Sequence, residues 1–133
     1  MTSRHAAGTF TVGSWEEDTY QDLAGKEKLT KARMGFQLSG DLAGDLVSDS
    51  LMYYREDGTA EYTGLQHVSA QIAGKTGTCV MVADGAFADG TASGNWRVIP
   101  GSGTGGLAGL RGSGTAVATT TPPGTFTFDY ELD

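Results

Sequence analysis

Apolar and polar residues alternate along short stretches of this chain, and no stretch repeats them with the period of a helix. In "TFTFDYEL" at 125–132, Phe126, Phe128 and Tyr130 alternate with polar residues, as in a strand with one buried face. Similar β-rich stretches recur along the chain with turn residues between them. The strands predicted from this pattern span 8–15, 29–40, 45–56, 59–72, 76–87, 92–99, 112–120 and 125–132.

Eight strands joined mostly by tight turns predict an all-β fold, an antiparallel meander that closes into an eight-stranded barrel. Closure removes the exposed edges that an open sheet would leave. The acidic segment "EEDTYQDLAGKEK" at 16–28 is predicted to be a long surface loop, with a lid over the barrel mouth as the alternative. At 133 residues the chain 1–133 is predicted to be a single barrel domain with a flexible N-terminus at 1–7.

A glycine-rich segment, "PGSGTGGLAGLRGSG" at 100–114, contains the spacing G-x-G-x-x-G at Gly101, Gly103 and Gly106. A dinucleotide-binding loop needs a helix after its glycines, because the pyrophosphate rests on the helix N-terminus. The residues that follow here are rich in Gly and Thr and would form a poor helix. The segment is therefore predicted to turn a corner and to let two backbones approach closely, and not to bind a phosphate.

Two Asp-Gly turns set the predicted register. "EDGT" at 56–59 predicts a two-residue hairpin that pairs Tyr53 with Tyr62 and Asp49 with Gln66. This face is predicted to line the lumen, because the opposite face carries more charge. Met52 belongs to the opposite face and is therefore predicted to point outward. "ADGT" at 88–91 predicts a second hairpin of the same kind. The residues then predicted to line a ligand site are Met34, Phe36, Leu51, Gln66, Met81, Ala83, Trp96 and Phe128.

Three polar side chains on the predicted inner face are candidates for chemistry. A carboxylate at Asp49 facing an apolar lumen is a candidate general acid or base, and the alternative is a rim residue hydrogen-bonded to Gln66. Tyr53 and Tyr62 are candidate proton donors, or a stabilising cross-strand aromatic pair. His67 is predicted to face outward, so no Ser/His/Asp or Cys/His arrangement is formed.

Composition narrows the function classes. The net charge of −7 argues against a nucleic-acid partner, which requires clustered Lys and Arg. Two histidines and one cysteine give no spacing for a zinc site, so we expect no metal and no cofactor. Carboxylate-bound Mg²⁺ or Ca²⁺ is the alternative, although the sequence has no calcium-loop pattern. No apolar run reaches the length of a membrane span, and the N-terminus does not resemble a signal peptide. The single cysteine, Cys79, is predicted to be a buried thiol in a cytoplasmic protein.

Four motifs together carry a family resemblance: "GTFTVGSWEE" at 8–17, "SGDLAGD" at 39–45, "YREDGTAEYTGL" at 54–65 and "GNWRVIPGSGTGGLAGLRGSG" at 94–114. The chain resembles a small, largely bacterial family of uncharacterised proteins, a domain of unknown function related in fold to allene oxide cyclase. The resemblance implies a calycin-like eight-stranded barrel with a ligand-sized cavity, and no known reaction. Family members often carry Glu at the position of Gln66 and His at that of Ala83, so the resemblance implies that this chain lacks any acid/base pair built there.

Two functions are consistent with these observations. The first is a cofactor-free isomerase or cyclase that folds an apolar substrate inside the barrel, with Asp49 as base or hydrogen-bond acceptor and Tyr53 or Tyr62 as donor. The second is a non-catalytic carrier or sensor of an apolar small ligand. A structural or oligomerising protein, with a lumen filled by side chains, is a third possibility for a barrel of this size. The sequence leaves open whether the chain forms a homo-oligomer.

Overall fold

The structure, a computed structural model that describes residues 3–132, consists of nine strands joined by turns and loops. The described residues contain no helix long and apolar enough to cross a lipid bilayer. The strands are β1 Arg4–Asp22, β2 Lys28–Gly40, β3 Leu42–Tyr54, β4 Ala60–Ile72, β5 Lys75–Ala88, β6 Thr91–Val98, β7 Thr104–Gly105, β8 Arg111–Ala118 and β9 Gly124–Glu131.

Eight of these strands form a closed antiparallel barrel. Successive strands pair from β1 to β6, β8 pairs with β6 and β9, and β9 returns to β1. The two-residue strand β7 adds to β5 outside this ring. The predicted all-β, eight-stranded meander barrel is therefore confirmed, with one short extra strand.

The first strand is longer at both ends than the sequence pattern predicted. Arg4–Ala7, expected to be a flexible N-terminus, pair with β9, while residues 1–2 lie outside the described residues. The predicted surface loop at 16–28 is wrong, because β1 continues along β2 as far as Asp22. Opposite charges stabilise this part of the ladder: Asp18 lies opposite Lys31, and Asp22 lies opposite Lys28.

The predicted register between β3 and β4 is wrong by one residue. The strands end at the pair Tyr54–Ala60, which leaves a five-residue loop in place of the predicted two-residue turn. Asp57 stabilises this loop, since its Oδ1 accepts hydrogen bonds from the backbone N–H of Thr59 (2.9 Å) and from the Thr59 hydroxyl (2.7 Å). A shift of one residue moves every side chain of one strand to the other face. On β3 the inward residues are consequently Leu42, Leu46, Ser48, Ser50, Met52 and Tyr54.

The second Asp-Gly turn forms as predicted. Ala88 pairs with Thr91, and both residues of the intervening turn have positive φ, 53° at Asp89 and 74° at Gly90. Ala83 accordingly lies opposite Trp96. The inward faces of β4, β5 and β6 are therefore those predicted from the sequence.

The glycine-rich segment closes one end of the barrel, which we call the floor. Leu107 and Leu110 are fully buried there in the main core. The segment lies close against the start of β5, where the backbone N–H of Gly106 donates to the carbonyl oxygen of Thr76 (2.8 Å). A Cβ at Gly106 would lie 2.9 Å from that oxygen, so only glycine allows this approach. The segment turns a corner as predicted, and it also supplies two core residues.

We expect Leu107→Ala to lower the free energy of unfolding by about 2–5 kcal/mol, because it leaves a cavity in the floor core. Urea denaturation followed by intrinsic fluorescence measures this change. The matched control is Leu65→Ala on the outer face, where the side chain is 54% exposed. Equal losses of stability in the two variants would show that the glycine-rich segment does not close the barrel.

Candidate functional site

A cavity of about 330 Å³ occupies the lumen above the floor core. Its mouth lies at the opposite end of the barrel, since the lining residues Val12 and Trp15 are each 51% exposed and Phe87 is 40% exposed. Most of the wall is apolar. The lining residues are Phe10, Val12, Trp15, Met34, Phe36, Leu38, Leu46, Ser48, Ser50, Met52, Tyr54, Tyr62, Gln66, Ala83, Phe87, Ala92, Gly94, Asn95, Trp96, Ala116, Ala118 and Phe126.

The cavity exists because one part of the wall carries small side chains. Ala83 on β5, Ala92 and Gly94 on β6, and Ala116 and Ala118 on β8 all line it. A Cβ at Gly94 would collide with the phenol oxygen of Tyr62, whose ring reaches across from β4. Nearer the floor, inward side chains such as Met81 and Phe128 are large and fully buried, and they fill the lumen.

Near the mouth, the carboxylate of Glu17 accepts hydrogen bonds from three side chains. Glu17 Oε2 accepts from the hydroxyls of Thr30 (2.6 Å) and Tyr54 (2.7 Å), and Oε1 accepts from the indole N–H of Trp15 (3.0 Å). A bulge between Val12 and Ser14 brings Trp15 and Glu17 onto the inward face of β1. Because Trp15 and Tyr54 both line the cavity, Glu17 holds two aromatic side chains of the mouth in place.

These contacts set the protonation states of the titratable groups around the lumen. Partial burial raises the pKa of Glu17, but the hydrogen bonds from Thr30, Tyr54 and Trp15, and the charge of Lys28, outweigh it and leave the pKa below its ordinary value. Burial raises the pKa of Tyr54 and of Tyr62, and for Tyr54 the hydrogen bond to Glu17 adds to this. Both tyrosines are therefore neutral at physiological pH. The Cys79 thiol, buried in the core, is neutral as well, because burial raises its pKa to about 11.

One small polar patch interrupts the apolar wall. Ser48 and Ser50 on β3 are buried, and their hydroxyl oxygens are hydrogen-bonded to each other at 3.0 Å. Gln66 lies directly opposite Ser48 on β4, and Gly64 lies opposite Ser50. Among the described residues, no hydrogen-bond partner is found for the Gln66 side chain. We call Ser48, Ser50 and Gln66 the lumen polar patch.

Most of the predicted ligand-site residues are where the sequence placed them. Met81 and Phe128 are buried in the core beneath the cavity and do not line it, and Phe128 stacks between Trp96 (5.1 Å) and Tyr130 (5.4 Å). The indole N–H of Trp96 is buried without a hydrogen-bond partner among the described residues. Those that line the cavity are Met34, Phe36, Gln66, Ala83 and Trp96, and Tyr62, predicted as a proton donor, lines it as well.

Three predicted site residues lie outside the barrel, because the register of β3 differs from the predicted one. Asp49 is on the outer face with a side chain 46% exposed, and its Oδ1 lies 3.9 Å from Nε of Arg33. Leu51 and Tyr53 lie on the same outer face and line an open groove. The prediction that Asp49 and Tyr53 face the lumen is wrong, and the catalytic roles assigned to them lose their basis.

Several lumen residues were not predicted, because the predicted register of β3 was wrong and the first strand was predicted too short. A predicted five-residue loop after β3 would have placed inside the barrel the residues Ser48, Ser50, Met52 and Tyr54. Glu17 was missed because the segment that contains it was predicted to be a loop. Among the described residues, no three His, Cys, Asp or Glu side chains lie close enough together to hold a metal ion.

We expect Glu17→Gln to lower the free energy of unfolding at neutral pH, because the amide replaces a charged acceptor of three hydrogen bonds. A carboxyl whose pKa is depressed in the folded state stabilises the fold above its ordinary pKa, and this contribution is lost as the pH falls through the folded-state value. The difference from wild type should therefore shrink as the pH falls below 4.5.

Urea denaturation at a series of pH values measures this difference, and Glu16→Gln, at the exposed neighbouring position, is the control. A pH-independent difference, or an equal effect of Glu16→Gln, would contradict the role given to Glu17.

Comparisons with known proteins agree with this fold. A crystal structure of a protein of unknown function from Shewanella oneidensis, a DUF3224 family member, superimposes with a TM-score of 0.83 over 99% of each chain at 21% sequence identity. A comparison with curated proteins gave no match. The family described as "Protein of unknown function (DUF3224)" matches residues 6–130. That match spans nearly the whole barrel, and the chain belongs to this family.

Proposed function

We propose that this protein binds an apolar small molecule in the lumen of the barrel. The observation that carries the proposal is the cavity of about 330 Å³ with an aromatic and aliphatic wall and an open mouth. Its volume is at the lower end of the range of known ligand pockets, and it equals the space of roughly ten water molecules. Displacing water from such a wall provides the driving force for binding.

Binding without chemical change is supported better than catalysis. The expected isomerase or cyclase depended on Asp49 as base, and Asp49 lies on the outer face beside Arg33. Lumen residues Tyr54 and Tyr62 are titratable, but their raised pKa values make them poor bases. The nearest carboxylate, Glu17, already accepts three hydrogen bonds. A carrier or sensor of an apolar ligand is therefore the function that we propose, and its cytoplasmic location stays a prediction from the single cysteine.

The open mouth suits reversible binding. Beyond Phe10, β1 pairs with β2 alone, so the barrel wall has a gap between β1 and the start of β9. Val12 and Trp15 lie along this gap with their side chains half-exposed. A ligand can enter there without breaking any strand pairing.

A neutral fluorescent probe, N-phenyl-1-naphthylamine, tests the proposal. We expect saturable binding of one probe per chain, with the rise in emission that follows transfer into an apolar site. Ala118→Trp should abolish binding, because it places an indole at the cavity mouth.

The matched control is Val117→Trp at the adjacent position, whose side chain is exposed on the outer face. Circular dichroism would establish that both variants fold. Absence of saturable binding to wild type, or equal binding to both variants, would overturn the proposal.

A further inference from the structure

The lumen polar patch indicates which part of a ligand the cavity recognises. Two serine hydroxyls that bond only to each other use one of their two protons, so one O–H donor remains free. The Gln66 side chain adds an amide with two N–H donors and a carbonyl acceptor, and none of them has a partner among the described residues. The two serines are buried, whereas Gln66 is half-buried, and a ligand that displaces water from the patch can supply the missing hydrogen-bond partners.

The patch lies in the inner half of the cavity, where Leu46 lines the wall next to Ser48 on the floor side. On β4, Gln66 is the lining residue nearest the floor, since Val68 is fully buried in the core beneath it. Tyr54 lies near the mouth, six residues along β3 from Ser48. This separation is roughly 20 Å along the strand, or roughly 15 Å along the axis of a barrel with tilted strands. A ligand that reaches the patch must therefore enter with its polar end first.

The cavity wall favours a neutral polar end. None of the described residues that line it is Lys, Arg, Asp, Glu or His. A carboxylate or an ammonium group at the patch would thus lose its hydration without gaining a countercharge. The charged groups closest to the mouth are Glu17 and Lys28, and both contact Tyr54 on the mouth side of the patch.

We infer that the natural ligand is an elongated, uncharged amphiphile whose single hydroxyl, carbonyl or amide group binds Ser48, Ser50 and Gln66, while its apolar body extends towards Trp15 at the mouth. This inference rests on the proposed function and adds the chemical class and the orientation of the ligand. It requires that the cavity distinguish molecules with the same chain by their end group.

Three nine-carbon compounds with different end groups provide the test. Nonan-1-ol, nonanoate and nonylammonium are titrated against protein with bound N-phenyl-1-naphthylamine at neutral pH. We expect nonan-1-ol to displace the probe at a concentration roughly ten-fold lower than either ion, because only the alcohol is bound without an unpaired charge. If either ion displaces the probe as effectively as the alcohol does, the inference is overturned.

Variants of the patch separate the end-group contact from simple apolar binding. In Ser48→Ala/Ser50→Ala/Gln66→Leu we expect the affinity for nonan-1-ol to fall roughly ten-fold more than the affinity for the probe, because only the alcohol loses its end-group contact. The control Ser69→Ala/Gln71→Leu changes the same residue types at exposed positions of β4 and should leave both affinities unchanged. The single variant Gln66→Leu replaces the triple variant if the latter does not fold.

The outcomes separate the two proposals. If the probe does not bind to wild type, the proposed function itself fails. A second outcome is that the probe binds, but the triple variant and Gln66→Leu leave the affinity for nonan-1-ol unchanged or weaken the binding of probe and alcohol equally. The lumen would then bind apolar molecules without recognising their polar end, and this inference alone would be wrong.

Discussion

The pairing of β1 with β9 is the constraint on which the rest of the structure depends. It joins seven residue pairs, from Arg4–Tyr130 to Phe10–Gly124, and it turns a long antiparallel meander into a closed ring. In a closed barrel each inward side chain either packs against others or borders empty space. The size of the inward residues along each strand therefore decides where the lumen is solid and where it is hollow.

The lumen of this barrel is filled by side chains at the floor and hollow towards the mouth. The floor combines large inward side chains with Leu107 and Leu110 from the glycine-rich segment, and Phe128 is fully buried there. Towards the mouth, alanine and glycine form much of the wall on β5, β6 and β8, whereas β1 to β4 carry aromatic residues and the polar patch. The hydrogen bonds of Glu17 then fix Trp15 and Tyr54 at the opening. A site of this kind can be rigid at its base and accessible from one side.

Much of this architecture could be predicted from the sequence, because alternation and turn residues are local signals. The exception on β3 has a physical cause: an Asp-Gly pair is compatible with more than one loop. Asp89 and Gly90 take positive φ in a two-residue turn, whereas Asp57 instead bonds Thr59 and stabilises a five-residue loop. That difference of one register position put Asp49 inside and Ser48 outside in the prediction, the reverse of the structure.

The second half of β1 could not be recognised for a different reason. Its residues are acidic and mostly exposed, and the bulge after Val12 interrupts their alternation, so the segment has the composition of a loop. It forms a strand because β2, the next strand along the chain, provides a partner along its whole length, and not because its residues favour a strand by themselves. Glu17, the carboxylate nearest the cavity, lies in this segment.

The central claim is that the lumen between the floor and the mouth is hollow and apolar. A crystal structure determined under xenon pressure tests it most directly, because xenon binds in apolar cavities and its electron density is easily recognised. We expect xenon atoms inside the barrel, bordered by Met34, Phe36 and Trp96. A lumen filled by side chains at these positions, with no xenon between them, would contradict the account.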